Sequence, residues 1–158
     1  MTTAVTELIP RLEADEARLV LDRFGNDDAW RLGLTLTELA QERDAAVTIG
    51  IRRVNQRLFH RALPGTTPDN DAWIDRKCRV VLHYEESSLL VGARFRAKGR
   101  TFETASRLDP RRYAAHGGAF PLRLRGTGVI GAVAVSGLAQ EADHALVVEG
   151  LERFLGRS

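Results

Sequence analysis

Four histidines are the side chains with which this sequence could carry out chemistry near neutral pH. They are His60, His83, His116 and His144, and no two of them have the spacing of a zinc-binding pair. A single cysteine, Cys78, cannot complete a tetrahedral set. We therefore expect no metal site within the chain, and a role for histidine in binding a ligand or in general base catalysis.

The triplet His116-Gly117-Gly118 is the first candidate for such a role. Two glycines allow backbone amides to approach a ligand closely and permit positive φ angles. A histidine beside them can donate or accept a hydrogen bond, or bind a metal ion. The alternative interpretation is a helix C-cap that carries a surface histidine.

Two adjacent cations, Arg76 and Lys77, lie inside a predicted helix. Lys77 shares a stripe of that helix with Trp73, which favours a buried stem and an ammonium directed at a carboxylate or a ligand. Extension of the side chain to solvent is the alternative. Cys78 lies on the core stripe of the same helix and is expected to be an inert packing residue.

His144 begins an apolar face of the last helix, shortly after the turn that follows a small-residue strand. A hydrogen-bonded core histidine and a general base are both open interpretations. The first turn of this helix carries Glu141 and Asp143, which complement the helix dipole themselves and disfavour a bound phosphate.

Hydrophobic periodicity and turn residues predict helices and strands that could position these side chains. Val129, Ile130, Val133 and Val135 should form a buried central strand that is covered on both faces. Two hairpins with tight turns favour a mainly antiparallel sheet, and helices packed on such a sheet give an α+β sandwich. The expected helices cover 6–24, 29–43, 69–86, 88–99, 110–117 and 140–155, and the expected strands cover 47–52, 57–62, 120–124 and 129–136.

Length and composition indicate a single domain over residues 1–158. The chain is 44% hydrophobic and 28% charged, a normal balance for a globular fold. A chain of this length buries enough surface to fold without a disulfide or a structural metal. One cysteine rules out an intrachain disulfide, which is typical of a reducing compartment. We see neither a signal peptide nor an apolar run that could span a membrane, and therefore expect a cytoplasmic protein without a membrane partner.

The net charge of +2 conceals two opposed blocks. Residues 1–50 carry five arginines and ten acids, whereas residues 94–125 carry nine basic residues and two acids. The blocks could pair within the fold or between subunits, so a homo-oligomer is expected. The basic block lacks the interleaved aromatic side chains of a nucleic-acid surface, which makes nucleic acid an unfavoured partner.

Several segments together resemble one family. They are Trp73-Ile74-Asp75-Arg76-Lys77, the stretch from Ala115 to Leu122, Gly128-Val129-Ile130-Gly131 and the V-S-G to D-H stretch from Val135 to His144. In this order they resemble the haem-degrading-domain family (GlcG/HbpS-like), and most closely its short branch, whose members are about as long as this chain. Leu138 and Ala139 depart from the pattern of the family.

The resemblance implies a profilin-like α/β/α sandwich, with an antiparallel sheet of about five strands flanked by helices, and assembly into homo-oligomers. It also implies that haem is one candidate cofactor, the cofactor being otherwise open.

Three functions follow as hypotheses. The first is a protein that binds haem or another anionic small molecule in a pocket lined by His116, Gly117, Gly118 and Lys77. The second is an oligomeric adaptor that binds a protein partner without a small ligand. The third is an enzyme acting on a small organic acid, with His116 or His144 as general base and Lys77 or Arg76 holding the carboxylate.

Overall fold

A four-stranded antiparallel sheet lies at the centre of the computed structural model, which describes residues 3–156. The strand order is β2-β1-β4-β3. The strands are β1 Thr48–Arg53, β2 Gln56–Ala62, β3 Ala119–Leu124 and β4 Gly128–Ser136. The helices are α1 Thr3–Arg18, α2 Asn26–Glu42, α3 Pro68–Tyr84, α4 Ser88–Ala97, α5 Phe102–Ala105 and α6 Gln140–Phe154.

Two hairpins meet in the middle of this sheet. β1 and β2 are joined by the predicted turn at Val54-Asn55, and β3 and β4 by a turn over residues 125–127. The two hairpins are joined by antiparallel pairing of β1 with β4, in which Ile49 faces Val135. β4 is therefore a central strand, as its apolar sequence predicted.

The two faces of the sheet carry side chains of different size. Large side chains such as Ile49, Phe120 and Val133 pack on one face against α2 and α6. The other face carries small residues, Gly50, Ala119, Ala132 and Ala134, which pack beneath α3. This alternation along each strand covers both faces of the sheet. The α+β sandwich with helices on both sides is therefore confirmed.

The sheet has four strands rather than the five that were expected. After α1 ends, Leu21 forms one isolated parallel bridge with Leu124 at the β3 edge. Its amide donates to the carbonyl of Arg123 at 2.8 Å, and its carbonyl accepts from Arg125 at 2.9 Å. The helix predicted to reach Phe24 therefore stops at Arg18, because the next residues pair with the sheet edge.

A second correction concerns the helix predicted after Asp109-Pro110. Residues 110–112 form a turn, in which the Asp109 carboxylate accepts the Arg111 amide at 2.9 Å. The amide of Ala114 then donates to the carbonyl of Arg76 in α3, which ends any helical pattern. The short helix of this region is α5, at Phe102–Ala105.

The burial predicted for β4 is correct only for its second half. Val133 and Val135 are fully buried, whereas Val129 and Ile130 are only partly buried. Pairing between β1 and β4 runs from Ala132 to Ser136, so the first residues of β4 project beyond β1.

Ion pairs join the two charged blocks within the chain. Arg94 pairs with Glu13 at 2.8 Å, and Arg125 pairs with Asp22 at 2.9 Å. Among residues 3–156, no helix has the length and apolar character needed to cross a membrane.

Candidate functional site

A buried lysine connects three elements of the fold at the carboxyl end of β4. Lys77 projects from α3 and is only 2% exposed. Its ammonium donates to the carbonyls of Gly117 at 3.0 Å and Val135 at 2.7 Å, and to the carboxylate of Asp143 at 3.4 Å. The structure thus brings Lys77 together with the His116-Gly117-Gly118 loop, 40 residues away in sequence.

The partners of Lys77 change the role expected for it. An ammonium group has three hydrogens, and three protein oxygens already accept from it. Burial lowers the pKa of Lys77 and raises the pKa of Asp143, and each charge opposes the effect on the other. The positive charge that was expected to meet a ligand is therefore balanced inside the protein.

Asp143 also fixes the turn that leads from β4 into α6. Its carboxylate accepts the amides of Leu138 at 2.9 Å and Gly137 at 3.4 Å. The acid that was expected to complement the helix dipole thus organises the V-S-G turn and the buried lysine together. We refer to Lys77, Asp143 and the carbonyls of Gly117 and Val135 as the lysine lock.

The two glycines after His116 are required by this packing. A Cβ atom on Gly118 would approach the Lys77 ammonium and the Val135 carbonyl to less than 3.0 Å, and the Gly118 φ angle is positive at 134°. The Gly117 amide donates to the side chain of Gln140 at 2.9 Å. The Gly117 amide is therefore not free for a ligand, and the helix C-cap interpretation is wrong because no helix precedes these glycines.

A cleft of about 300 Å³ opens above the lysine lock. Its walls come from α3, the His116 loop and the β4–α6 turn. The residues that line it include Asp69, Asn70, Trp73, His116, Ser136, Leu138 and Gln140. Most of these groups are polar, so the cleft suits a ligand that makes hydrogen bonds.

His116 contributes an exposed imidazole to this cleft. Its exposed imidazole packs edge-on against Trp73, with ring centroids 5.2 Å apart. The Arg76 guanidinium lies over the same indole, 4.5 Å from its centroid. Within the part of the chain that the structure describes, neither the His116 ring nor the Arg76 guanidinium has a hydrogen-bonding partner.

His144 lies outside this cleft. It follows Asp143 on α6, but its ring packs beside Phe120, and the residue lines the space between α6 and α1. His144 is a buried core residue, as one of the two interpretations predicted. The hydrogen bond in that prediction is wrong, since neither ring nitrogen has a partner among residues 3–156. Burial lowers its pKa to about 4, so the ring is neutral at pH 7.

Neither histidine has the partners of a catalytic base. A general base is usually oriented by a carboxylate or a carbonyl on its second ring nitrogen, and no described residue does this for His116 or His144. Cys78 is fully buried and burial raises its pKa to about 11, so this thiol is not a nucleophile at neutral pH.

Sequence reasoning missed Asp143 and Gln140 as members of this arrangement, and Asn70 and Trp73 as cleft residues. The spacing of 70, 73 and 77 on one helix puts these three side chains on the same face, and this signal was present in the sequence. No local signal connects Gln140 with Gly117, because that contact depends on the tertiary fold.

Comparison with known proteins places the chain among proteins of similar sequence and fold. The sequence model of the family described as "Haem degrading protein HbpS-like" matches residues 24–152. A UPF0303 protein of Streptomyces avermitilis is 65% identical over 149 residues, which cover 94% of this chain and 91% of that protein.

Solved structures extend the comparison. The crystal structure of the Ybr137w protein superposes with a TM-score of 0.86 at 33% identity, covering 94% of this chain and 87% of that one. The crystal structure of a PduOC:heme complex superposes with a TM-score of 0.69 at 17% identity, covering 81% of this chain and 92% of that one.

Proposed function

Because this chain belongs to the HbpS-like family of haem-degrading proteins, we propose that it binds a planar small molecule in the cleft above the lysine lock. The observation that supports this proposal most is the exposed His116 imidazole, packed against Trp73 and without a hydrogen-bonding partner among the described residues. A group of this kind can bind a metal centre or donate and accept hydrogen bonds.

Haem is the first candidate for this ligand. The complex of PduOC with haem supports the choice, since that protein shares the fold. The residues present fit the group in part: His116 offers an imidazole to iron, Trp73 offers an aromatic wall, and Arg76 offers a guanidinium to a propionate. A cleft of about 300 Å³ is at the lower end of the range for ligand pockets, so it would bury only part of a haem.

Of the two cations predicted to hold a carboxylate, Arg76 is better placed than Lys77 to bind one on a ligand. The Lys77 ammonium already donates to three oxygens, so a ligand carboxylate would have to displace one of them. The Arg76 guanidinium needs no such exchange, and it forms bidentate bonds to carboxylates. An anionic planar ligand other than haem would use the same two residues.

We also propose that the protein acts as a homo-oligomer in the cytoplasm. The lone, buried Cys78 supports a reducing compartment. Exposed apolar side chains on α2, Trp30 and Leu34, support association between copies of the chain.

Absorbance titration with haemin tests the proposal. Wild-type protein should give a saturable change in the Soret band. His116→Ala should shift the band or weaken binding, and Arg76→Ala should weaken binding with little change in band position. His83→Ala is a matched control, because His83 lies on α3 outside the cleft. Absence of saturable binding to the wild type, or identical spectra for His116→Ala and wild type, would refute the haem assignment.

A further inference from the structure

We propose a second ligand site, in the cavity between α1 and α6, which takes a mainly apolar molecule whose single hydroxyl or carbonyl group hydrogen-bonds to His144. This site is separate from the cleft of the proposed function. The two approach each other at the first turn of α6, where Asp143 belongs to the lysine lock and His144 lines the cavity. Successive residues on a helix project about 100° apart, which separates the two side chains.

The cavity has the size and lining of a small-molecule site. Its volume is about 860 Å³, within the range of pockets that enclose organic ligands. Leu8 and Leu12 of α1, Leu89 of α4 and Val148 of α6 give it apolar walls. Such walls favour burial of an apolar molecule in proportion to the area removed from water.

His144 supplies a polar point in this apolar wall. The residue is only 6% exposed, yet neither Nδ1 nor Nε2 has a hydrogen-bonding partner among residues 3–156. Buried polar groups in folded proteins are almost always paired. A bound molecule that reaches His144 would supply the missing partner.

The protonation state of His144 specifies the chemistry of that partner. With a pKa lowered to about 4 by burial, the ring is neutral at pH 7 and offers one N–H donor and one acceptor nitrogen. A hydroxyl group can donate to the acceptor nitrogen, and a carbonyl can accept from the N–H. A ligand anion would gain no cationic partner from this ring.

Most charged side chains around the cavity are already paired with each other, so few are available to bind a charged ligand. Arg18 pairs with Asp15 at 2.9 Å and with Glu152 at 3.2 Å, and Arg153 pairs with Glu42 at 3.1 Å. Glu149, which also lines the cavity, pairs with Arg43. The remaining charged groups of the lining, Arg11 and Glu141, are of opposite sign. An uncharged ligand therefore matches the cavity best.

The test uses 2-naphthol as a probe, because it has an apolar body and one hydroxyl group. We expect saturable binding by fluorescence, and a shift of the His144 ring-nitrogen resonances in protein labelled with ¹⁵N-histidine. His144→Phe should retain the apolar walls, lose the hydrogen bond and bind the probe several-fold more weakly.

Two tryptophan variants on α6 form a matched pair. Ala145 is exposed and lines the cavity, so Ala145→Trp should obstruct the cavity and weaken binding at least tenfold. Ala142 is also exposed but lines neither the cavity nor the cleft, and Ala142→Trp should bind the probe as the wild type does. Cooperative thermal melting of both variants is the check that each is folded.

Three results would overturn the proposal. One is the absence of saturable binding by the wild type, and another is binding that leaves the His144 resonances unchanged. The third is probe binding that declines as the protein concentration rises, which would assign the cavity to a contact between two copies of the chain. Haemin binding at His116 is measured in a separate experiment, so one proposal can be refuted while the other stands.

Discussion

At the residue scale, Lys77 is the side chain on which the candidate cleft depends most. Replacement by methionine removes the ammonium that holds Asp143 and the Gly117 carbonyl. Because this leaves a buried carboxylate uncompensated, we expect Lys77→Met to lower the free energy of unfolding by roughly 3–5 kcal/mol at pH 7. Urea denaturation measures this change.

Two further variants define the contribution of the ion pair. Arg79→Met, on the same helix, removes one solvent-exposed hydrogen bond to the Arg112 carbonyl and should change stability by no more than about 1 kcal/mol. Lys77→Met combined with Asp143→Asn should cost less than the sum of the single changes, because the amide avoids an unpaired buried charge. An additive double variant would show that the pairing of charge is not what stabilises the cleft.

Two other buried residues should make the stability of the protein depend on pH in opposite directions. Burial raises the pKa of Glu16 to about 7 and lowers the pKa of His144 to about 4. The stability associated with Glu16 is fully present below pH 4.5 and is lost as the pH rises to about 7. The stability associated with His144 is present above pH 6.5 and is lost as the pH falls to about 4. Each change corresponds to roughly 3 kcal/mol.

Between pH 4.5 and 6.5, Glu16 and His144 each change the free energy of unfolding by about 1.4 kcal/mol per pH unit, with opposite signs. In the wild type the two contributions should therefore cancel over this range. Relative to the wild type, Glu16→Gln should then become more stable as the pH rises, and His144→Phe less stable. Thermal or urea unfolding at several pH values checks both differences. Parallel pH profiles for the wild type and both variants would contradict the assignment.

At the element scale, β4 organises the core because it pairs with both β1 and β3. Val133 is fully buried in this strand, among the large side chains beneath α2 and α6. We expect Val133→Asp to unfold the protein, because an unpaired buried charge costs several kcal/mol, comparable with the whole folding stability. Circular dichroism and thermal melting measure the loss.

Val54→Asp is the matched control, since Val54 is 55% exposed in the β1–β2 turn. It should melt cooperatively near the temperature of the wild type. A soluble Val133→Asp variant that melts cooperatively would contradict the buried central position of β4.

The elements with a clear hydrophobic period could be predicted from the sequence, and those decided by tertiary contacts could not. The β1–β2 hairpin and α6 follow from alternating residues, turn residues and a helical stripe. The end of α1 could not be predicted, because the Leu21 amide pairs with Arg123, about 100 residues away in sequence.

The same distinction applies to the candidate cleft. The proximity of Lys77 to the His116-Gly117-Gly118 loop was predicted, but the Asp143 carboxylate that balances the charge of Lys77 was not. Asp143 was interpreted as a helix-dipole residue, since sequence alone cannot show that its carboxylate faces α3. His144 was placed on an apolar face correctly, whereas its missing hydrogen-bonding partners could be seen only in the structure.

At the scale of the whole molecule, α2 presents an exposed apolar patch. Trp30 and Leu34, one helical turn apart, are 58% and 38% exposed, and Trp30 packs edge-on against Phe59 of the edge strand β2. Exposed tryptophan is typical of interface anchors. We expect light scattering at micromolar concentration to give a mass well above that of one 17.5 kDa chain.

Substitution within this patch tests where the copies meet. Trp30→Lys should reduce the measured mass, whereas Val54→Lys, at an exposed position in the β1–β2 turn, should leave it unchanged. A wild-type mass of one chain would contradict the homo-oligomer.

The central pairing of β1 with β4 has a consequence for the synthesis of the protein. Ile49 and Val135 face each other across the sheet but are 86 positions apart in the sequence. At ribosomal rates of roughly 5–20 residues per second, the β1–β2 hairpin emerges several seconds before its neighbour exists. During that interval the inner edge of β1 is an unpaired strand with apolar side chains, a target for chaperones or for another nascent chain. The full sheet therefore forms only after β4 has been synthesised, and a chain that stops before β4 has a β1–β2 hairpin without its central partner strand.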